Sequence, residues 1–430
     1  MKDCKIAILG FGTVGSGVYR IVTENHDDIL RNEELDIHVN RILVRDFEHE
    51  PNLHMAPREV FTTNFADIAA DPEVTVVVEC MGGVEPARTF ILKSLQAGKS
   101  VVTSNKEVVS KHWHEFEHAA RESGAGLYME ATVGGGIPII RTINDSMQAN
   151  NIDCVMGIIN GTTNYILTKM SEEGSDFDEV LKDAQRLGYA EANPAADVEG
   201  YDAMYKLSIL SSLCFHTHMP ISTVYREGIT KLTGKDFETA KRLGYEIKLL
   251  AIGKKRGNEV EVRVHPTMLP KDHMLAKVSG VFNAVFLHGH AVDNIMLYGR
   301  GAGCMPTASA VVSDIVCAFH DGDEHRHVTF PLEETMGEDV ELLQNFSSIY
   351  CIRLAVEDKP GTLATVADAF ARHGVSMKDV LQYDGETQDN TSEITFMTHT
   401  AREFDIQAAL REIRELPCVC NVESVIRAES

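Results

Sequence analysis

The stretch KIAILGFGTVG, residues 5–15, decides how the chain begins to fold. Residues 5–9 form a short apolar run with strand character. Gly10-Phe11-Gly12-Thr13-Val14-Gly15 follows, then a helical run over about residues 14–23, then a second strand-like run at 37–44. A GxGxxG sequence alone says little. Set between a strand and a helix, with another strand after it, it has the layout of a dinucleotide-binding unit. Gly10 permits the tight turn, Gly12 lets the backbone reach a pyrophosphate, and Gly15 lets helix and strand touch. The helix N-terminus adds free N–H groups and a positive dipole end. The plain alternative is a strand-to-helix turn with no ligand.

Dinucleotide sites usually carry an acidic residue at the end of the second strand, for the ribose hydroxyls. Here that strand ends Leu43-Val44-Arg45-Asp46. Arg45 suits a 2′-phosphate and Asp46 suits a ribose hydroxyl. The basic residue favours NADP, with NAD use left open.

Strands and helices keep alternating to about residue 135. Apolar strand runs at 74–80, 100–103 and 127–131 end in Met81-Gly82-Gly83, Ser104-Asn105-Lys106 and Thr132-Val133-Gly134-Gly135-Gly136. Such alternation implies a parallel sheet with ligands at the strands' carboxyl ends. Lys106 falls at one of those ends, as a site lysine or an ordinary loop cation.

Beyond residue 140 the pattern changes. Asn160-Gly161-Thr162-Thr163 is a cap-rich turn opening a helix, 176–187 is an amphipathic helix, and Glu191, Asp197, Glu199 and Asp202 cluster. Residues 203–213 read as a mostly apolar helix that nevertheless holds Lys206, four residues after Asp202. That spacing puts both side chains on one helix face. The pair is either solvated surface decoration or a proton-transfer pair facing a pocket. Residues 259–297 are strand-rich. Gly299-Arg300-Gly301-Ala302-Gly303 then leads into a helix at 307–318 that returns to the first unit. The tract HDGDEHRHVT (320–329) has no metal-site spacing and reads as solvated linker. His216 and His218, and the His-rich run 111–118 around Trp113, read as ordinary surface and helix-face residues.

Residues 346–430 read as a small separate unit of order βαββαβ, a four-stranded antiparallel sheet with helices on one face. The expected domains are thus 1–135, 136–320, a linker at 321–345, and 346–430.

Composition narrows the function classes. The chain has 430 residues and a net charge of −24 from 40 basic and 64 acidic groups. That balance argues against nucleic acid and anionic membranes as partners. No apolar run approaches the roughly 18 residues of a membrane span. The N-terminus lacks a signal-peptide layout and the nine cysteines are scattered, so a reducing cytoplasmic setting is expected.

With these motifs in place, the chain resembles homoserine dehydrogenase, in the single-activity form with a C-terminal ACT domain. The carrying stretches are GFGTVG (10–15), TSNK (103–106), NGTTNYIL (160–167), LGYAEANPAADVEGYDAMYKLSIL (187–210), GRGAG (299–303) and DKPGTLATVADAFARHGVS (358–376). The resemblance implies a Rossmann-type α/β domain, an α+β catalytic and dimerisation domain, and a ferredoxin-like ACT domain. It implies NAD(P)-dependent interconversion of L-homoserine and L-aspartate 4-semialdehyde in a homodimer or homotetramer. Lys206 takes the place of the catalytic acid/base, with Asp202 beside it and Lys106 as second active-site lysine. Glu191, Asp197 and Asp202, with Thr162 and Tyr189, match substrate contacts. Phe11, Thr13, Val14, Gly188 and Gly303 match cofactor contacts, alongside Gly10, Gly12, Gly15 and Arg45. Glu130, Val133, Gly135 and Ile137 match a structural sodium site made mostly of backbone carbonyls. The ACT domain implies an amino-acid effector, threonine first, bound near Asp358-Lys359-Pro360-Gly361 and between two chains.

The chemistry agrees. Oxidising a primary alcohol needs a base for the hydroxyl proton, and the reverse needs an acid for the aldehyde oxygen. A lysine, with a reference pKa of about 10.4, suits this when desolvation and a neighbouring cation such as Lys106 lower it. Two other classes compete. An aldehyde dehydrogenase with a cysteine nucleophile would need a cysteine in a helix N-terminal motif, and the sequence shows no such motif. A non-catalytic amino-acid sensor would leave both lysines and the carboxylates without a reason.

Overall fold

A computed structural model of the chain describes residues 2–321, 340–383 and 391–429. The remainder, including most of the His-rich tract and of the expected linker, lies outside the described residues.

The first unit is a parallel sheet built from β1 (Lys2–Leu9), β2 (Leu35–Leu43), β3 (Phe61–Thr62), β4 (Val74–Glu79), β5 (Ser100–Thr103) and β6 (Leu127–Tyr128). Its order is β3-β2-β1-β4-β5-β6, with every pair parallel. The β1–β4 boundary is where the winding reverses, so a crevice opens at the carboxyl ends of those strands. Buried Ile6, Ile8, Val76 and Val78 form one face of this sheet. Against it pack Val18, Ile21 and Val22 of helix Thr13–Glu24, and Ala308, Val311 and Ile315 of helix Cys304–Asp321. A helix from beyond residue 300 therefore completes the core of the first unit.

The second sheet begins with β7 (Ile152–Ile158), β8 (Tyr225–Arg226), β9 (Tyr245–Arg256), β10 (Glu259–Pro270), β11 (Phe282–Gly289) and β12 (Asp293–Arg300). The C-terminal region adds β13 (Glu341–Leu342), β14 (Ser347–Glu357), β15 (Met377–Tyr383), β16 (Thr391–Thr398), β17 (Ala401–Arg402) and β18 (Val419–Ala428). Its ferredoxin-like sheet runs β18-β14-β16-β15, antiparallel throughout, with helices Thr362–Arg372 and Glu403–Arg414.

The C-terminal unit, expected to be separate, is not free-standing. β18 lies parallel to β10, pairing Thr267 with Arg427 and Met268 with Ala428. One continuous sheet of order β12-β11-β7-β9-β10-β18-β14-β16-β15 results. Buried Arg353 of β14 reinforces the join, reaching Asp236 of the second unit at 3.0 Å and Glu393 at 2.9 Å. The compositional break near residue 345 gives no sign of this, because two strands distant in sequence make the pairing.

The GxGxxG turn takes the tight form its glycines allow. Gly10 has φ +91°. A Cβ on Gly15 would collide with the Gly10 carbonyl oxygen and come within 3.2 Å of Ile8 Cγ2. Gly15→Ala should therefore push the helix off β1, at a cost of about 1–3 kcal/mol. A lower unfolding temperature, together with weaker binding of the dinucleotide expected at this turn, would register the change.

Candidate active site

Asp202 and Lys206 lie one turn apart on helix Tyr201–Phe215, which is buried along nearly its whole length. The two residues are only 7% and 8% exposed, which excludes a surface ion pair. Lys206 Nζ donates to Asp202 Oδ2 at 2.6 Å and to the Ile159 carbonyl at 2.8 Å. Lys106, the first residue of helix Lys106–Ser123 after β5, brings its ammonium to 3.4 Å from Asp202 Oδ1. Asn105 sets that position, accepting from the Val108 N–H as N-cap and donating to the Gly83 carbonyl. One carboxylate thus receives a lysine from each of the first two units.

Asn160 completes the cluster. Its Nδ2 donates to Asp202 Oδ2 at 2.9 Å and to Asp197 Oδ1 at 2.7 Å, while its Oδ1 caps the next helix through the Thr163 N–H at 2.8 Å. Burial favours the neutral form of Asp202, but Lys206 and Lys106 outweigh it and hold the carboxyl down at about 2. Burial and the neighbouring Asp202 charge push Asp197 above the ordinary carboxylate range. The Asp202 charge raises Lys106.

These groups wall a cavity of about 480 Å³ between the first two units. Its other walls include Thr13 and Val14 at the start of the first helix, Thr162, Gly188, Tyr189 and Gly303. The helix carries no side-chain cap, and a Cβ on Gly12 would meet no protein atom within 4 Å. Open space therefore faces free N–H groups, which suits a pyrophosphate. A crevice at the switch point, continuous with a buried lysine–carboxylate cluster, can hold a nucleotide beside a small substrate that exchanges a proton.

Comparison with known proteins agrees with this arrangement. A family model described as homoserine dehydrogenase matches residues 138–316, its NAD binding domain matches 10–130, and the ACT domain matches 352–418. The homoserine dehydrogenase of Synechocystis sp. is 43% identical over 99% of this chain and 99% of its own. The crystal structure of a homoserine dehydrogenase from Thiobacillus denitrificans is 39% identical, with a TM-score of 0.93, over 100% of this chain and 99% of its own. A hyperthermophilic archaeal homoserine dehydrogenase in complex with NADPH is more distant, at 29% identity and a TM-score of 0.64 over 75% of this chain and 99% of its own. The chain belongs to the homoserine dehydrogenase family. It is an oxidoreductase that interconverts L-homoserine and L-aspartate 4-semialdehyde.

Within this homoserine dehydrogenase, the cavity gathers Lys106, Thr162, Tyr189, Asp197, Asp202 and Lys206. Thr162 Oγ1 donates to the Tyr189 carbonyl at 2.6 Å, tying the two loops together. Glu191 is exposed and does not line this cavity. The Phe11 side chain is also turned away, buried edge-on against Tyr19 and Phe61, so only its main chain can face a ligand. Arg45 is exposed beyond the end of β2. Asn160, at the centre of the cluster, is the residue that sequence reasoning missed. Its cap-forming neighbours were visible, but they gave no hint of the second role of its amide. Outside the cavity, His26, Asp36 and His38 meet at the surface, with both imidazole Nε2 atoms 2.8 Å from Asp36 Oδ1.

The depressed pKa of Asp202 sets a pH signature. The fold favours the ionised form, so its contribution is full above the unfolded value of about 3.9 and fades as pH falls towards 2. In denaturant titrations, the stability gap between wild type and Asp202→Asn should be level above about pH 5 and shrink between pH 4 and 2. A gap that widens on acidification would contradict the ionised pair.

Proposed function

We propose that Lys206 is the proton carrier of this reaction, that Asp202 holds it in place, and that the reaction runs with NADP in preference to NAD. The observation carrying the proposal is the single buried Asp202 carboxylate shared by Lys206 and Lys106 at the cavity wall. The nicotinamide ring, when bound, accepts or donates the hydride. The chain's own residues manage the proton and the substrate. In the oxidative direction a neutral Lys206 takes the hydroxyl proton; in the reductive direction its ammonium gives that proton to the aldehyde oxygen. Asp202 and the Ile159 carbonyl fix the Nζ position, so that little reorganisation is needed when the proton moves. Lys106, drawn to the same carboxylate, adds positive charge where an alkoxide develops. Asp202 is engaged by both lysines, which leaves Asp197 as the carboxylate for the substrate ammonium.

Support for NADP comes from the end of β2. Asp46, the residue able to take a ribose hydroxyl, is occupied by the main-chain N–H of His49 at 2.8 Å and its Nδ1 at 2.9 Å. Arg45 beside it is exposed and basic, and Asn52 folds the loop back by donating to the Phe11 carbonyl at 2.8 Å. The NADPH complex of the archaeal relative points the same way.

The 130–137 loop fits a sodium ion. Its one charged side chain, Glu130, already accepts from the Ile140 and Arg141 N–H groups at 2.8 and 2.7 Å. A hard cation there would take main-chain oxygens of Glu130, Val133, Gly135 and Ile137. Consecutive positive φ angles at Gly134 and Gly135, +75° and +56°, supply the tight turn. Its role is structural, since the loop joins the two units. In the ACT domain, Gly361 at φ +96° opens helix Thr362–Arg372, and we assign that turn to an amino-acid effector, threonine first, in a dimer or tetramer. The nine free cysteines support a cytoplasmic setting.

Lys206→Ala should lower kcat by about 10²-fold or more while circular dichroism stays unchanged. Turnover near wild type in the folded variant would remove Lys206 from the mechanism. Arg45→Ala should raise KM for NADPH several-fold more than KM for NADH, since a guanidinium clamps only the 2′-phosphate. Equal losses in steady-state assays with the two cofactors would show that Arg45 does not read the phosphate.

A further inference from the structure

We infer that Glu227 and Arg427 are positioning residues for substrate binding, because the C-terminal strand braces from behind the segment that carries Asp197. Arg427, on β18, is 1% exposed. Its guanidinium forks onto Glu227, with Nη1 to Oε2 at 3.0 Å and Nη2 to Oε1 at 3.1 Å, and onto Glu403, with Nε to Oε2 at 2.9 Å and Nη2 to Oε1 at 2.7 Å. Nη2 also donates to the Tyr225 hydroxyl at 2.6 Å, and the guanidinium lies 4.8 Å from the Tyr225 ring centroid. Such a group has one seat. The planar fork fixes both carboxylates in direction as well as distance.

From Glu227 the path to the cavity runs through main chain and is short. The Glu227 N–H donates to the Val264 carbonyl of β10 at 2.8 Å, so Glu227 is held at both ends. At Gly228 there is no room for a side chain, since a Cβ would collide with the Val198 carbonyl oxygen and lie 2.7 Å from Glu199 Cα. The next N–H, of Ile229, donates to that Val198 carbonyl at 2.8 Å. Val198 ends the short helix Ala195–Val198 that carries Asp197. On its other side the Asp197 carboxylate accepts from Asn160 at 2.7 Å. A four-residue helix has no stability of its own. It leans on residues 227–229 from behind, and it packs as well against helices Gly161–Glu173 and Tyr201–Phe215. The ion pair between Arg427 of the C-terminal unit and Glu227 of the second unit therefore helps to set the substrate carboxylate.

This inference rests on Asp197 as the carboxylate for the substrate ammonium, and the test separates the two. Glu227 is the variant site of choice, because its side chain is 39% exposed and tolerates change, whereas emptying Arg427 would strand buried carboxylates. Glu227→Gln keeps the shape and removes the charge. In the full-length enzyme it should raise KM for homoserine about five- to twentyfold, with kcat and KM for NADP⁺ within about threefold. Arg427→Lys keeps the charge without the fork and should give the same split. A merely structural role would instead lower stability and disturb both substrates together. Asp197→Asn is the reference, and its effect and that of Glu227→Gln should not add in the double variant. If Asp197→Asn leaves KM for homoserine unchanged, the reading of Asp197 fails and the inference falls with it. If Asp197→Asn raises that KM while Glu227→Gln and Arg427→Lys do not, or if the two effects add in full, Asp197 stands and the brace is wrong.

Discussion

The buried charge on Asp202 is the constraint around which the enzyme is arranged. An isolated carboxylate at that depth would be driven to its neutral form. Two ammonium groups and an amide keep it ionised, and they come from three different places: the helix after β5, the helix that carries Asp202 itself, and the turn after β7. Each donor is locked by its own local structure, through the Asn105 cap at Lys106, one helical turn between Asp202 and Lys206, and the double use of Asn160. Separating the first two units would leave that charge short of a partner. The geometry of the cluster and the arrangement of the first two units are thus held by the same electrostatic requirement.

Much of this was legible in the sequence, for reasons tied to distance along the chain. The glycine turn, the alternation up to residue 135 and the Asp202–Lys206 pair are local patterns, and helix periodicity alone places the last two on one face. The decision between surface pair and pocket pair needed the apolar surroundings of the helix, and residues 203–213 carry that signal. What stayed hidden depends on contacts across large separations. Nothing near Arg427 announces Glu227, and nothing near residue 345 announces that β18 will join β10. Acidity is likewise no guide to which of the clustered carboxylates line the cavity: Asp197 and Asp202 do, while Glu191 and Glu199 are exposed outside its walls.

The split between Asp197 and Asp202 shows how two similar groups come to differ. Asp202 is buried and Asp197 half-buried, and Asn160 donates to both. Only Asp202 has cations within reach of both its oxygens. Its charge is met by two ammonium groups, whereas Asp197 is met by the Asn160 amide. Neighbouring carboxylates with diverging proton affinities are a recurrent means of dividing tasks within one site.

The union of β10 with β18 also bears on how the chain is made. Arg263 of β10 is completely buried and pairs with Glu429, 166 residues later. At a synthesis rate of about 5–20 residues per second, that partner follows on the order of ten to thirty seconds behind. During the interval the nascent second unit must carry an unfinished sheet margin, the kind of surface that recruits stray strands from other chains. A guanidinium beside that margin, whose near neighbours on its own strand are Glu261 and His265, is costly for an intruding apolar strand to cover, so it guards the gap. When Glu429 arrives, the same charge becomes the anchor that admits the one correct strand.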